Sequence, residues 1–345
     1  MAVIAAQDLN TFAAAILASA GFSRDDAAQM ADLLVWANLR GVASHGVLRL
    51  PRYVEMLQQG EVLADHDISV VKRFGAVMVL DAGKAPGAAA MNRATTEAAN
   101  LAQESGIGWC GVRRTSHAGA IGYFVAKLAK LGLVGIAMTA SKPLMSYYGA
   151  KGEALSTNPL AIGVPSPDGA PPLILDMSTA AVALGKIMAA KDSCQSIPLG
   201  WGIDATGADT TDPHKVAAVL PMAGAKGSGL SLMIEILCSV LVGNPNIAPA
   251  LSGGEGGGFN GMVLAIDPAA FGDAGGFLAE IGNLVNAIHG LDPVAEGGRV
   301  LLPGERGHES ELLRRDQGVP IPEGTVKRLI ALAGQLEVPV PAAFL

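Results

Sequence analysis

The chain has little of what small stapled or aromatic-cored folds need. Only three cysteines occur in 345 residues, Cys110, Cys194 and Cys238. An odd number spread so far apart excludes a disulfide framework and any CxxC zinc or redox motif, and points to a reducing, cytoplasmic setting. Aromatic residues make up 4%, which argues against an aromatic-rich sandwich or a base-stacking nucleic-acid module. Cations are in the minority. The 24 basic and 31 acidic side chains leave a net charge of −7, so a nucleic-acid partner is not expected. The longest apolar run, Leu230 to Val242, is about 13 residues and carries Glu235, short of the roughly 20 that span a bilayer, so no membrane partner is expected either. Met1 to Ala20 has no Lys or Arg ahead of Arg24 and contains Asp8 and Asn10, so it reads as mature sequence and not as a signal peptide.

Several chemical signatures are missing too. No GxGxxG follows an early strand, so a Rossmann nucleotide fold is not indicated, and there is no GxxxxGK[ST] phosphate loop. No GxSxG or Cys/His signature supports nucleophilic hydrolysis. The six histidines, His45, His66, His117, His214, His289 and His308, show no HxxxH or HExxH spacing, and no metal site is expected.

The length suggests about two domains, and half the residues are hydrophobic, with Ala, Leu, Val and Ile predominant. Ser23, three residues before Asp26, resembles a capping box, and Ala27, Met30, Ala31, Leu34 and Leu39 recur near helical spacing, which predicts a helix from Arg24 to Leu39. Ser44 to Tyr53 is either a helix strained at Pro51 or a capped turn feeding a helix that starts there. No strong strand signal precedes residue 72, so a helical N-terminal unit is expected over 1–72, packing with the C-terminal region 261–345. Alternation then sets in, with strands expected at 76–81, 107–112, 133–139, 173–176 and 262–267. Helices are expected at 87–104, 119–131, 179–191, 229–242 and 271–288, and loops over 143–169 and 194–213. This is α/β patterning, with a dinucleotide-binding domain expected over 73–260.

Three places carry candidate chemistry. His45, Arg49 and Tyr53 are spaced by four, so one helical side would hold them as a carboxylate clamp; equally, His45 reads as a capping residue and Arg49 as a surface charge. His117 follows a strand at a turn into a helix, where open α/β sheets bind ligands, and imidazole suits proton transfer; a loop histidine is as often inert. Gly224-Ala225-Lys226-Gly227-Ser228-Gly229 leads into a helix, so Lys226 and the local amides either hold a phosphate or form a solvated turn. Glu235 reads as a paired buried carboxylate.

In combination these motifs are more specific. Ser44-His45-Gly46 with Arg49, Pro51 and Tyr53; Ser116-His117 with Gly119; Ser156 to Ala161; Asp176-Met177-Ser178; Ile197-Pro198 with Gly200-Trp201; Thr210 to Pro213; and Lys226-Gly227 stand in an order that resembles the malate/L-lactate dehydrogenase family of the non-Rossmann type. The resemblance runs from about residue 10 to about 310. It implies an α/β, non-Rossmann NAD(P)-binding fold with a mixed sheet, usually a homodimer, transferring hydride to and from C2 of a small 2-oxo or 2-hydroxy acid, with NAD or NADP as cofactor. By motif, His117 is the general acid/base, with His45 and Ser44 beside the substrate. Arg49, Tyr53 and Lys142 are substrate contacts. Ser141, Asn158, Asp176, Met177, Ser178, Lys226, Pro303, Gly304 and Glu305 are cofactor contacts. The family also contains cyclic imine reductases acting on piperideine- or pyrroline-2-carboxylate, an alternative activity, while a non-catalytic nucleotide-binding protein would have no use for both His45 and His117.

Overall fold

The computed structural model describes residues 1–192, 194–295 and 297–345. A short strand β1 (Ala2–Ile4) and the helices α1 (Ala6–Ser19), α2 (Arg24–Leu39) and α3 (Leu50–Gln58) come first. They lead into β2 (Ser69–Phe74), β3 (Val77–Asp81), α4 (Gly87–Ser105), β4 (Ile107–Thr115), α5 (Gly122–Lys130), β5 (Val134–Ala140), β6 (Leu160–Val164) and β7 (Leu173–Met177). The second half comprises α6 (Leu184–Asp192), β8 (Gly202–Ile203), β9 (Ala218–Val219), α7 (Ala225–Glu235) with a π-helical turn at Ile236–Val240, α8 (Ile247–Leu251) and β10 (Phe259–Ile266). It ends with α9 (Ala274–His289), α10 (Glu305–Gln317), β11 (Val319–Ile321) and α11 (Glu323–Gln335).

Seven strands form one mixed sheet in the order β2-β3-β4-β10-β5-β6-β7. Only β3 and β4 run parallel, with α4 as the crossover that a parallel pair needs; every other neighbour in the sheet is antiparallel. One face is covered by α4, lying on β4 and β10, and α5, lying on β5 and β6. The buried side of α4 is mostly alanine, Ala88, Ala90, Ala94, Ala98 and Ala102, with Met91 and Leu101. Small side chains let the helix axis come close to the sheet, and burial of this apolar layer supplies the main stabilisation. The π-helical turn packs on β4, β5 and β10 from the other face.

The capping of α2 follows the sequence reading: the Ser23 hydroxyl accepts from the Asp26 N–H at 3.1 Å. The helix then packs on α4 and α5, which places the chain leaving it beside the end of β4. The two chain ends meet, since β1 pairs with β11, α2 touches α10 and α3 touches α11.

Several elements differ from the sequence expectation. The stretch before residue 72 holds β2, an edge strand exposed along its whole length, whose Lys72 and Arg73 obscure any alternation. The loop expected over 143–169 contains β6, and that expected over 194–213 contains β8. The helix expected at 229 begins at Ala225, so Lys226 lies in its first turn, and the helices expected from 119 and 179 begin at Gly122 and Leu184. The limits 72/73 and 260/261 both fall within strands of the central sheet.

Candidate active site

Two chain segments converge at the carboxyl end of β4. The first follows α2 through two 3-10 turns, Ala43–His45 and Val47–Arg49, before α3 starts with Pro51 in its first turn, where the missing N–H costs nothing. Continuous helix is thus replaced by a capped turn. The buried Asn38 holds it: its Oδ1 accepts from the Val47 N–H at 2.7 Å, and any Cβ on Gly46 would collide with that amide. The second segment is Thr115-Ser116-His117. Ser116 Oγ accepts from the Gly87 N–H at 2.8 Å, and a Cβ on Gly87 would strike the His117 carbonyl. Asn38 and Gly87 had no individual signal in the sequence, because their roles depend on contacts far along the chain.

The result is a compact polar cluster. The His45 and His117 rings stack with centroids 5.6 Å apart and planes 16° from parallel. The Tyr53 hydroxyl lies 2.8 Å from His117 Nδ1, and the Gly119 N–H donates to the same nitrogen at 3.3 Å. Nδ1 therefore accepts, and the neutral ring carries its proton on Nε2. The Phe259 ring stands perpendicular to the His117 imidazole on another side, 5.9 Å between centroids. Ser44 Oγ lies 2.9 Å from His45 Nδ1, and Arg49 Nε donates to the Ser44 carbonyl at 2.8 Å. Among the described residues no carboxylate pairs with Arg49, which leaves its terminal nitrogens for a ligand. Tyr53, expected at the substrate, is 6% exposed and bonded to His117 instead.

Burial governs the protonation of this cluster. Desolvation, then the Arg49 charge, lowers the His45 pKa to about 4. Desolvation, reinforced by His45 and Arg49, holds His117 well below its ordinary value, and desolvation raises Tyr53. The resting site is thus an array of neutral rings beside one guanidinium, a place that favours an anion.

The expected cofactor contacts lie on β7, at the ends of β5 and β6, on α7 and at the start of α10. α5 starts five residues after His117, and its Gly122 N–H donates to Asp176 Oδ2 at 2.9 Å. Asp176 keeps solvent access, yet displacement of water by the surrounding protein raises its pKa to about 6, against the pull of that N–H and of Arg40. Pro303-Gly304-Glu305 sits on the same strand, for the Ile174 N–H donates to the Pro303 carbonyl at 3.0 Å, and Arg40 donates to the Gly304 carbonyl at 2.8 Å. Met177 is half-buried, Ser178 Oγ donates to the Thr157 carbonyl, and Ser141 and Ser156 share a hydrogen bond of 2.7 Å. Lys142 and Lys226 are exposed. Asn158 is fully buried; its Nδ2 donates to the Ser231 carbonyl, so it supports α7 from beneath.

These residues fit a dinucleotide: an accessible carboxylate for a ribose hydroxyl, and an exposed ammonium in the first turn of an 11-residue helix for a phosphate. One detail departs from the sequence reading. The first amides of α7 are bonded inward, Lys226 N–H to the Ala223 carbonyl, Gly227 N–H to Met222 and Ser228 N–H to Gly224, so they form no open cradle. Among the described residues no group of three His, Cys, Asp or Glu is placed to hold a metal ion.

A mixed sheet with a desolvated histidine pair, an unpaired arginine and an adjacent carboxylate-and-lysine surface is the arrangement of a dinucleotide-linked oxidoreductase. The malate/L-lactate dehydrogenase family model matches residues 4–330, and the chain belongs to that family. It is 36% identical to the (2R)-3-sulfolactate dehydrogenase (NADP(+)) of Chromohalobacter salexigens, over 96% of this chain and 98% of that protein. It is 32% identical to the ureidoglycolate dehydrogenase (NAD(+)) of Escherichia coli, over 91% of each. Among solved structures, malate dehydrogenase from Pyrococcus horikoshii superposes with a TM-score of 0.89 at 29% identity, covering 98% of this chain and 97% of that one. The Δ1-piperideine-2-carboxylate reductase of Pseudomonas syringae superposes at 0.85 and 27% identity, covering 96% and 100%.

The pKa shifts predict a pH dependence of stability. Between about 6.5 and about 4 the unfolded chain protonates a histidine that the native chain keeps neutral at His45, so this residue makes the protein lose stability as pH falls through that window. Asp176 acts in the opposite sense, since its native pKa of about 6 stands above the unfolded value. Urea unfolding of the wild type and His45→Gln at pH 7.5 and 4.5 separates the two. The variant should lose distinctly less stability on acidification, and equal losses would contradict the neutral, desolvated state of His45.

Proposed function

We propose that this protein is an NAD(P)-dependent dehydrogenase of small 2-hydroxy acids, of the malate, lactate, ureidoglycolate or sulfolactate type. The observation that carries this reading is the neutral His117, fixed in one tautomer by Tyr53 and Gly119, beside an Arg49 whose terminal nitrogens have no acidic partner among the described residues. A substrate carboxylate on Arg49 forms charge-assisted hydrogen bonds and turns C2 toward the crevice. It also offsets one of the positive charges that depress the His117 pKa.

Asp176, Met177 and Ser178, with Lys226 toward the phosphates and Pro303 to Glu305, would hold a nicotinamide dinucleotide, which would supply or accept the hydride. In the reductive direction His117 Nε2 gives its proton to the oxygen that gains charge, while the Tyr53 hydroxyl proton passes to Nδ1. No imidazolate forms, and the phenolate charge falls next to Arg49. Oxidation runs the same transfers in reverse. His45, hydrogen-bonded to Ser44, stacks on the His117 ring and keeps it from rotating away. The likeness to a piperideine-2-carboxylate reductase supports the alternative in which the same proton goes to an imine nitrogen.

We further propose a homodimer. Met233, Ile236, Leu237, Val240 and Leu241 form an exposed apolar stripe along α7 and its π-helical continuation, and α9, though mostly apolar, has no buried residue. The three cysteines, all unpaired, support a reducing cytoplasmic setting, and no helix among the described residues is long and apolar enough to cross a membrane.

Nicotinamide absorbance followed across a panel of 2-oxo acids, 2-hydroxy acids and cyclic imines tests the activity; turnover of none of them with either cofactor defeats it. On the best substrate His117→Ala should lower kcat by about 10²–10⁴-fold, and Tyr53→Phe should lower it by a smaller factor. Wild-type turnover in the first variant would remove the proton-transfer role, and in the second the relay alone. Arg49→Lys should raise KM for acids strongly and leave cofactor affinity unchanged, because an ammonium cannot make the planar two-pronged contact. Comparable wild-type activity on an acid and its amide would defeat the clamp. Sedimentation should give twice the 35.0 kDa chain mass, and a monomer would leave the apolar stripe without the proposed partner.

A further inference from the structure

His117 leaves the sheet through a backbone irregularity. Phe259 pairs with Thr115 and Gly261 with Val112, so Arg113 and Arg114 on β4 stand opposite the single residue Asn260 on β10. This is a β-bulge, a device that re-aims the residues following it. Arg114 has φ of 55°, in the left-handed region that a long side chain rarely adopts without an outside hold. Its backbone is held on both sides: the carbonyl accepts from the Lys84 N–H at 2.7 Å, and the N–H donates to a side chain, Asn260 Oδ1, at 3.1 Å. The Arg114 guanidinium is held by Asp81, 2.7 Å between Nη2 and Oδ1.

Asn260 is itself fully buried and oriented by a polar network that the proposed chemistry does not use. Its Nδ2 donates to Ser239 Oγ at 3.0 Å and to the Asn244 carbonyl at 2.9 Å, and its Oδ1 also accepts from Asn244 Nδ2 at 2.7 Å. Ser239, on the π-helical turn, donates in turn to Glu235 Oε2 at 2.8 Å. The other oxygen of this buried carboxylate accepts the Asn246 and Ile247 N–H groups at 2.8 and 3.1 Å. Asn260 is preceded in the chain by Phe259, whose ring stands perpendicular to the His117 imidazole with centroids 5.9 Å apart. One residue thus reaches the imidazole by two routes, through the bulge on β4 and through its own neighbour on β10.

We propose that Asn260, oriented by Ser239 and Glu235, is a positioning residue for His117: it holds the Arg114 bulge in its left-handed turn and sets the Phe259 ring perpendicular to the imidazole. This rests on the reading of His117 as the proton-transfer residue. The titratable or charged groups facing His117 are His45, Arg49 and Tyr53, so a changed ring position alters its exposure to them and its titration.

The experiment compares wild type, Asn260→Ala, Ser239→Ala and the double variant Asn260→Ala/Arg114→Gly, each purified as the folded full chain. Readouts are kcat, KM for substrate and cofactor, the pH profile of kcat, and the His117 imidazole titration by NMR. Asn260→Ala should lower kcat by roughly ten- to a hundredfold, as loss of alignment does, with cofactor KM unchanged and both the pH profile and the imidazole titration displaced. Ser239→Ala should shift the same readouts by a smaller factor. Glycine takes the left-handed turn unaided, so the double variant should recover most of the lost kcat. A folded Asn260→Ala with wild-type kcat and titration, or with only a lowered melting temperature, would overturn the proposal, and so would a double variant without recovery. Should Asn260→Ala not fold, wild-type values in Ser239→Ala overturn it. The NMR titration reports ring position whether or not His117 moves a proton in catalysis, so a displaced titration with unaltered turnover would count against the catalytic reading and leave the positioning role standing.

Discussion

Two imidazole rings stacked beside a guanidinium, desolvated and with no carboxylate among the described residues to balance them, form the constraint around which the rest of this protein is arranged. Desolvation disfavours the protonated rings, and the neighbouring Arg49 charge acts in the same direction. Such a site holds unspent positive potential until an anion enters. On the proposed reading the substrate carboxylate is that anion, and its arrival changes the protonation equilibrium of the residue that must then handle a proton. Binding and proton transfer are thereby coupled through a few ångströms of low-dielectric space, with no moving part required.

The scaffold keeps this arrangement by means that are mostly covalent-range sterics and buried hydrogen bonds. Gly46 lets the His45 turn lie on Asn38, Gly87 lets α4 begin against the His117 carbonyl, and Asn38 and Ser116 use their side chains to satisfy backbone N–H groups that these tight turns would otherwise strand. Each contact links residues distant in sequence. A small displacement of either segment separates the rings, which is why a cluster of five side chains needs the packed interface of α2, α4 and β4 beneath it.

How much of this was legible differs by residue. The helix Arg24–Leu39 was readable to its ends, because the Ser23 cap and the apolar spacing are local signals. Local spacing left His45, His117 and Lys226 open between a chemical and an inert role, and motif order decided between them, since a histidine in a turn looks the same whether or not another imidazole stacks on it. Four-residue spacing gave Tyr53 the direction of Arg49, whereas the 3-10 turns break that helical register and its hydroxyl lies at His117 Nδ1. Strand β2 escaped notice because it is exposed along both faces and so has no buried alternation to show. Asn260 was silent as well: a single polar residue after a glycine-rich stretch acquires meaning only when β10 is paired with β4.

The missing GxGxxG has a physical counterpart in α7. In a glycine-rich nucleotide fold, open amides at a helix start receive the phosphates. Here those amides are consumed by the turn that builds the helix, with Lys226, Gly227 and Ser228 all bonded to carbonyls three to five residues back. On the proposed reading phosphate charge is met by a side chain instead, and the exposed Lys226 ammonium is the cation carried by that first turn. The ribose end follows the same logic. Asp176, with one N–H on one oxygen and a pKa near 6, has its other oxygen open to a hydroxyl donor, and binding such a donor favours the ionised form. A dinucleotide held by side chains on α7 and β7 does not depend on a glycine fingerprint, so the absence of that fingerprint excludes one fold and leaves the chemistry open to this one.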